Sequence, residues 1–558
     1  MHRITFAALL SLILSSAAFA QCEVSSFRAS DAGPNDRFGA YVAIQGQTAV
    51  VGSGSKYNLV PGGAYVFERS GATWTETQLV QPNTPNIERS FGASVAIDGD
   101  VMVVGAPYDS QGPQWSGAAY VFEKIAGTWT QVDKLKSSTP STGSRFGADV
   151  AVSGDRVVVG GPHSLSPPAG QGHVVVYEKI AGQWTEVANL QDHLGEVGDY
   201  FGDVIALEGD RLLVGAPEAD TTFGPNAGTV LVFERVAGTW TFTDRLGAPG
   251  LAGQGAFGAS VDIDGSRAIV GARKDDAAGR GNSGAAYVFD DIGGSLALTA
   301  TLLPPEPVAW YQFGLTTAIS GTHALVGTAG DEAHAFEEVA GNWILRGAMR
   351  SVPGHDGGGG DFDFAWTLDL EGDVALIGEP RLLPSGQSGS IAVFTWPNYS
   401  TSYCTCANGP RCDDPLAGCR NTSGFGGALR ACGSSSVAAD DLLITAWRMP
   451  ANQPLVPIMG AGQIQLPFGD GQLCVGSGGV GLFRFPVQMI DNWGQSTIGP
   501  GIVAHSQANF GAAGAIQAGS SWNFQFWFRD TQVSPCGGLQ TIPKGFNLTD
   551  AVQVLFAP

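Results

Sequence analysis

The chain has 558 residues, 51 of them acidic and 29 basic, and a formal net charge of −22. Charged residues make up only 14%, glycine supplies 80 positions, and no long helical pattern is visible, which leaves an all-β chain of short strands and tight turns. No basic stripe offsets the acidity, so a phosphate backbone would be repelled and nucleic acid is excluded as a partner.

Residues 1–20 read as a signal peptide. His2 and Arg3 precede an apolar run from Ile4 to Leu14, and Ala18-Phe19-Ala20 offers a cleavage site before Gln21. Gln21 is too large to precede a lipidated cysteine, so Cys22 is not read as a lipid anchor. No later stretch approaches 18 consecutive apolar residues, and no membrane span is expected after cleavage. The expected location is outside the cytoplasm, secreted or held at the cell surface or envelope.

From residue 21 to residue 397 one sentence repeats. Its clearest copy joins FGASVAIDGDVMVVGAP (Phe91 onward) to GAAYVFEKIAGTWTQVDKL, ending at Leu135. The opening Phe-Gly recurs at Phe38, Phe91, Phe146, Phe201, Phe257 and Phe313, with a worn copy at Phe364-Ala365. Steps of 53, 55, 55, 56, 56 and 51 residues, with four β-like runs per unit, predict a propeller of seven four-stranded blades. From the second residue of each pair to a closing glycine (Gly52, Gly105, Gly160, Gly215, Gly271, Gly327, Gly378) there are always 13 residues, which requires a hairpin of fixed length. The third run ends in an aromatic, Phe67 through Phe394, and the fourth opens on Trp74, Trp129, Trp184, Trp240 or Trp343, with Leu296 in the fifth copy. The seventh copy stops at Trp396-Pro397 without a fourth run, and residues 22–30 stand where every other copy has one. That segment is therefore expected to complete blade seven and remove an open sheet edge.

The pairing of FGASVAIDGD with VVGAP and GAAYVFE resembles the FG-GAP repeats of integrin α-subunit propellers and their bacterial relatives. The resemblance implies a seven-bladed β-propeller over residues 21–397 and a role in recognition or cell adhesion. Integrin blades that bind calcium carry a longer Asp-rich loop between the Phe-Gly and GAP strands. Here that place holds a turn of two or three residues, too short to gather six to eight oxygens, so no metal site is carried over.

Residues 398–558 lack the repeat and read as a disulfide-containing β-sandwich or jelly-roll-like domain. Val437 to Leu442 begins a run continuing through Ile444 and Ala446, Ser521 to Asp530 alternates polar and aromatic positions, and Val552, Val554 and Phe556 keep that rhythm. Tyr403-Cys404, Val437 to Leu442, Leu473 to Gly479 and Trp527 to Asp530 resemble a C-terminal β-module of large secreted bacterial proteins, which implies architecture and address rather than an activity. Seven of eight cysteines lie here: Cys404, Cys406, Cys412, Cys419, Cys432, Cys474 and Cys536. Outside the cell, without C-x-x-C spacing or a nearby His, they are expected in disulfides rather than around zinc. Cys22 is the eighth, and its expected partner is one of the early cysteines, Cys404 or Cys406 being nearest the propeller's exit.

Catalytic motifs are not found. HExxH, GxSxG and CxxC are absent, and GxGxxG at Gly476 to Gly481 has no βαβ unit around it, so no cofactor is expected. His163, His193 and His355 fall in loops with no acid or nucleophile placed beside them. Near the propeller axis the inner strands carry small residues (Ala43, Ala96, Ala151, Ala206, Ala318), but Asp262 and Asp369 stand at that position and Asp149 and Asp203 lie earlier on theirs. These acids are expected to hold backbone groups where strands crowd; an acid–base pair acting on a polysaccharide is the alternative. Length varies only in the second connections and the crossovers, which share one face. Variable loops on a rigid scaffold are where binding resides. Tyr57, Asp109, Trp115, Asp220, Asp275 and Asp276 are the candidate ligand-binding residues there, while Asp356, Asp361 and Asp363 around Gly357 to Gly360 read as a flexible linker, with a metal-ion site as the alternative. The expected function is non-catalytic binding of a protein or polysaccharide, with a polysaccharide-acting enzyme or a structural envelope component as alternatives.

Overall fold

The computed structural model describes residues 23–31, 37–54, 62–71, 73–83, 90–162, 171–222, 224–248, 254–276, 279–305, 309–329, 332–350, 364–380, 389–395, 400–403, 428–432, 437–438, 440, 442–447, 449–468, 471–490, 496–529 and 546–556. The signal-peptide reading, Tyr57, His163, His355, the acids of residues 356–363, and Cys22, Cys404, Cys406, Cys412, Cys419 and Cys536 lie outside these residues.

The described residues between 23 and 395 supply seven four-stranded antiparallel sheets. The second is typical: Ser94–Asp98, Val101–Ala106, Ala118–Ile125 and Thr128–Leu135 pair in sequence order. Its inner strand packs between those of its neighbours, Tyr41–Gln45 and Val150–Ser153. The cycle continues through Ile205–Glu208, Phe257–Asp264, Thr317–Ser320 and Thr367–Glu371, which meets Tyr41–Gln45 again. The seventh sheet takes its outer strand from the start of the chain: Glu23–Phe27 pairs antiparallel with Ser390–Thr395, Ser26 lying opposite Ala392. The arrangement is a β-propeller, whose hydrophobic cores lie between successive sheets.

Two glycines explain the repeat. The glycine of each Phe-Gly pair has φ between 86° and 88° (Gly39, Gly92, Gly147, Gly202, Gly258, Gly314), a region costly for any side chain. A Cβ on Gly147 would stand 2.3 Å from the carbonyl oxygen of Ala118. The closing glycine of the preceding sheet lies against the same turn, and a Cβ on Gly105 would stand 2.2 Å from the Gly147 oxygen. Gly378 and Gly39 repeat this contact between the seventh and first sheets, at 2.0 Å. Main chain thus meets main chain wherever two sheets join. The phenylalanine beside each glycine is buried and packs edge-on against the third-strand aromatic, as Phe91 does on Phe122 (6.1 Å) and Phe364 on Phe394 (6.1 Å).

The first hairpin is equally uniform. Gly46, Gly99, Gly154, Gly209, Gly265, Gly321 and Gly372 have φ between 55° and 59° at the first position of a two-residue turn. The residue before four of these turns reaches to the next sheet in the same way: Asp98 accepts from Gly154 N (2.6 Å), Ser153 from Gly209 N (3.0 Å), Asp264 from Gly321 N (2.5 Å) and Ser320 from Gly372 N (3.0 Å). On the third strands, charges link neighbours in the same way. Glu68, Glu123 and Glu178 pair with Lys124, Lys179 and Arg235 of the following sheets. Where that basic position turns acidic, at Asp291 and Glu338, the partner moves to Arg211 and Arg267.

The third hairpin holds a correctable strain. Ala126, Ala181, Ala237 and Ala340 have φ of 50° or 51° ahead of a glycine, a turn that favours asparagine in the first place. Replacing all four by Asn is expected to stabilise the protein by about 0.5–1 kcal/mol per site, measured as a rise in melting temperature. An unchanged or lower value contradicts the assignment of strain to these turns.

The described strands between residues 400 and 556 pair among themselves and not with the repeat. Ser400–Tyr403, Phe546–Leu555, Ser521–Arg529, Pro454–Gly460 and Leu482–Arg484 form one antiparallel sheet in that order, with Gln488–Met489 also pairing Pro454–Gly460. Ala428–Cys432, Leu443–Trp447 and Ser496–Ile498 form a second. Phe524, Phe526 and Phe528 from the first share an apolar core with Leu429, Ile444 and Ile498 from the second. The helix Ile502–Asn509 packs Ile502 and Val503 into that core, and Asp440 accepts from Val503 N (2.7 Å) and Ala504 N (2.8 Å) at its start. Cys474 is buried and disulfide-bonded. Among the described residues no cysteine is free.

Candidate functional site

The inner strands enclose a cavity of about 630 Å³ along the axis of the ring. Ala43, Ala96, Ala151, Ala206 and Ala318 line it at mid-depth, and their small side chains keep it open. Ile44, Ile97, Val152, Leu207 and Ile263 line it further along the strands, toward the fixed-length hairpins. Pro107, Tyr108, Arg145, Pro162, Arg273 and Trp366 line its other end, where the second connections begin.

All four axial acids line this cavity, and three of them are committed to the main chain. Asp149 accepts from Val150 N (3.0 Å) and, across the sheet boundary, from Ile205 N (2.8 Å). Asp262 accepts from Ile263 N (2.8 Å) and Ile319 N (2.7 Å), and Asp369 from Leu370 N (2.8 Å) and Ile44 N (2.8 Å). Each carboxyl thus clips one inner strand to the next, joining sheets three to four, five to six and seven to one. Asp203 lies exposed at the mouth.

Burial, and then the Asp369 charge, push the Asp262 carboxyl up to about 8, while burial pushes Asp369 up to about 6. An unfolded Asp releases its proton near pH 4, so between there and pH 8 the folded chain holds protons the unfolded chain has lost. Stability from these groups is therefore greatest near pH 4 and declines as pH rises to about 8. The decline amounts to several kcal/mol, because each tenfold difference in proton affinity between the folded and unfolded chain is worth roughly 1.4 kcal/mol. Asp262→Asn is expected to flatten that decline in melting curves taken from pH 5 to pH 8.5; an unaltered slope contradicts it.

The candidate loop residues divide. Asp109 and Asp275 were expected to face solvent, and both are buried, each 1% exposed. Asp109 accepts from the Tyr120 hydroxyl (2.8 Å), Lys134 Nζ (2.7 Å) and Gln111 N (2.8 Å), and Asp275 accepts from the Tyr287 hydroxyl. The fourth sheet has Ala219 and Leu231 at the corresponding places, so it lacks both acid and tyrosine. These two acids hold their loops and do not present charge. Asp220 and Asp276 are exposed, but each accepts from the amide six residues on, Asn226 N (2.8 Å) and Asn282 N (2.7 Å). Trp115 is half-buried, edge-on to Tyr108 at 6.4 Å. His193 is exposed, away from the cavity.

The side chains that do gather at the mouth escaped the sequence reading. Arg145 stacks on the Tyr108 ring at 5.4 Å. Arg273 stands where the second, third and fourth copies have the proline of Gly-Ala-Pro or Gly-Gly-Pro (Pro107, Pro162, Pro217), a signal available in the sequence. Its Nε is buried with no hydrogen-bond partner among the described residues, an arrangement costing about 1–3 kcal/mol when nothing is bound. Trp366 follows the worn Phe364-Ala365 pair and is 41% exposed, while Trp310 on the crossover into the sixth sheet is 70% exposed. Among the described residues, no group of three or more His, Cys, Asp or Glu is placed to hold a metal ion, and no helix is long and apolar enough to cross a membrane.

Fold and cavity define a β-propeller. Within it, five segments match the FG-GAP repeat: residues 22–67, 74–122, 129–177, 184–233 and 240–289. Each later segment begins on the outer strand of one sheet and ends on the third strand of the next, and the first begins beside Glu23–Phe27. No curated protein matches the chain. Among solved structures it is similar to a chain from "Crystal Structure of Mitotic Checkpoint Complex", at 11% identity and a TM-score of 0.42, covering 71% of this chain and 99% of that one. It is also similar to "Crystal structure of RRP9 WD40 repeats", at 11% identity and 0.43, covering 68% and 99%.

Proposed function

We propose that the seven sheets are the blades of a single seven-bladed FG-GAP propeller, exported by the signal at residues 1–20, which binds a protein or polysaccharide at its loop-rich face. The observation carrying this reading is the axial cavity, whose loop-side mouth combines Tyr108 and Trp366 with two arginines that no carboxylate of the described residues pairs. The sandwich-like region of residues 398–558 serves as an attachment, export or second recognition module, its cysteines paired for life outside the cell.

A polysaccharide-acting enzyme is the second reading, and it draws on four carboxylates lining one cavity with Asp262 raised to about 8. Binding is preferred because Asp149, Asp262 and Asp369 each accept two main-chain N–H groups. Incubation of the full chain with insoluble polysaccharides and envelope fractions, followed by assay of released sugar, separates the two. Retention without release, weakened at least tenfold by Trp366→Ala, is the expected result. Release abolished by Asp262→Asn would install the enzyme instead.

A further inference from the structure

We infer that the mouth of the axial cavity is a carboxylate-recognition site, built for a uronate-bearing glycan. The inference rests on the loop-face reading and names its ligand class. The chain carries 51 acidic residues against 29 basic ones, and the described cations without a carboxylate are few; Arg69 and Lys136 turn instead to the carbonyl oxygens of Gly71 and Gln111. Arg156, Arg211, Arg235, Arg245, Arg267 and Arg346 are all ion-paired. Among the described residues Arg145 and Arg273 have no such carboxylate, and both line this cavity. Tyr108 supports the Arg145 guanidinium from one face, leaving its edge for a two-pronged bond to a carboxylate. Arg273 keeps a buried Nε–H that no described protein group accepts.

The carboxylates in the same cavity select the kind of anion. Asp203 stands exposed at the mouth, with Asp149, Asp262 and Asp369 deeper. A polyacidic peptide adds carboxylate after carboxylate beside the exposed Asp203 without the ring of hydroxyls a sugar carries. A sugar acid offers a carboxylate to the arginines and hydroxyl donors to the aspartates, and Trp366 provides an apolar ring against which a pyranose can lie.

The test uses the full chain and three probes: oligogalacturonate, the same oligomer with its carboxyls methyl-esterified, and poly-glutamate, each titrated calorimetrically. Oligogalacturonate is expected to bind at least tenfold more tightly than the other two, and Arg145→Gln and Arg273→Gln are each expected to weaken it at least tenfold. Arg273→Met, which removes the orphan N–H, is expected to melt at or above the parent temperature without ligand, so lost binding cannot be ascribed to lost folding. Equal binding of the methyl ester, equal binding of poly-glutamate, or arginine variants with parental affinity each overturn the inference. Retention of the chain by a neutral polysaccharide, with oligogalacturonate rejected, overturns it while leaving the loop-face reading intact; rejection of every probe and every insoluble fraction removes both.

Discussion

Gly147→Ala is expected to destabilise the propeller by more than about 3 kcal/mol. Two costs combine. At φ 88° an alanine gives up about 1–2 kcal/mol of conformational energy, and its Cβ would stand 2.3 Å from the Ala118 oxygen, which belongs to a strand that cannot yield without disturbing the sheet. Gly99→Ala separates the two costs, because Gly99 also has positive φ (58°) but nothing lies within 4 Å of its would-be Cβ. That variant should lose only about 1 kcal/mol. Denaturant unfolding of both measures the difference, and equal losses would show that the inter-sheet glycine contact is not what the repeat preserves.

Removing residues 22–30 is expected to cost at least about 4 kcal/mol and to make the protein self-associate. Phe27 packs on Phe67 and Trp74 of the first sheet, with ring centroids 4.4 and 5.7 Å away, while its strand pairs with Ser390–Thr395 of the seventh. The segment therefore joins both sides of the ring's seam. Its loss leaves an unpaired strand edge and a gap beside aromatic side chains. Melting curves with light scattering check this, and a synthetic peptide of residues 22–30 should restore part of the lost stability. An unchanged melting temperature in a monomeric truncation would contradict the role given to that strand.

The sheets were legible because each repeat obeys local rules that no tertiary context overrides. Phe-Gly marks a backbone conformation that only glycine adopts cheaply, Gly-Asp or Asp-Gly marks a two-residue hairpin, and the alternation of Tyr120-Val121-Phe122 marks a buried third strand. Even the worn copy keeps a positive φ, since Ala365 sits at 62° in the glycine's place. The site was far less legible. Asp109 and Asp275 stand in loops and yet are buried, because whether an acid faces water depends on a tyrosine about a dozen residues away on another strand. Asp149 gives nothing away in sequence of the amide it holds 56 positions later, at Ile205. Arg145 and Arg273 come from different sheets, and only the closing of the ring brings both to one cavity. Arg273 did leave a trace, as a cation replacing the proline that four other copies carry (Pro107, Pro162, Pro217 and Pro380).

The loop-face account is tested most directly by hydrogen–deuterium exchange on the full chain, free and bound to a retained glycan or protein fraction. Protection is predicted in the segments holding Tyr108 to Trp115, Arg145, Arg273 and Trp366, with the hairpins at Gly99, Gly154 and Gly209 unaffected. Protection confined to those hairpins, or to residues 400–556, would place recognition elsewhere and contradict the account.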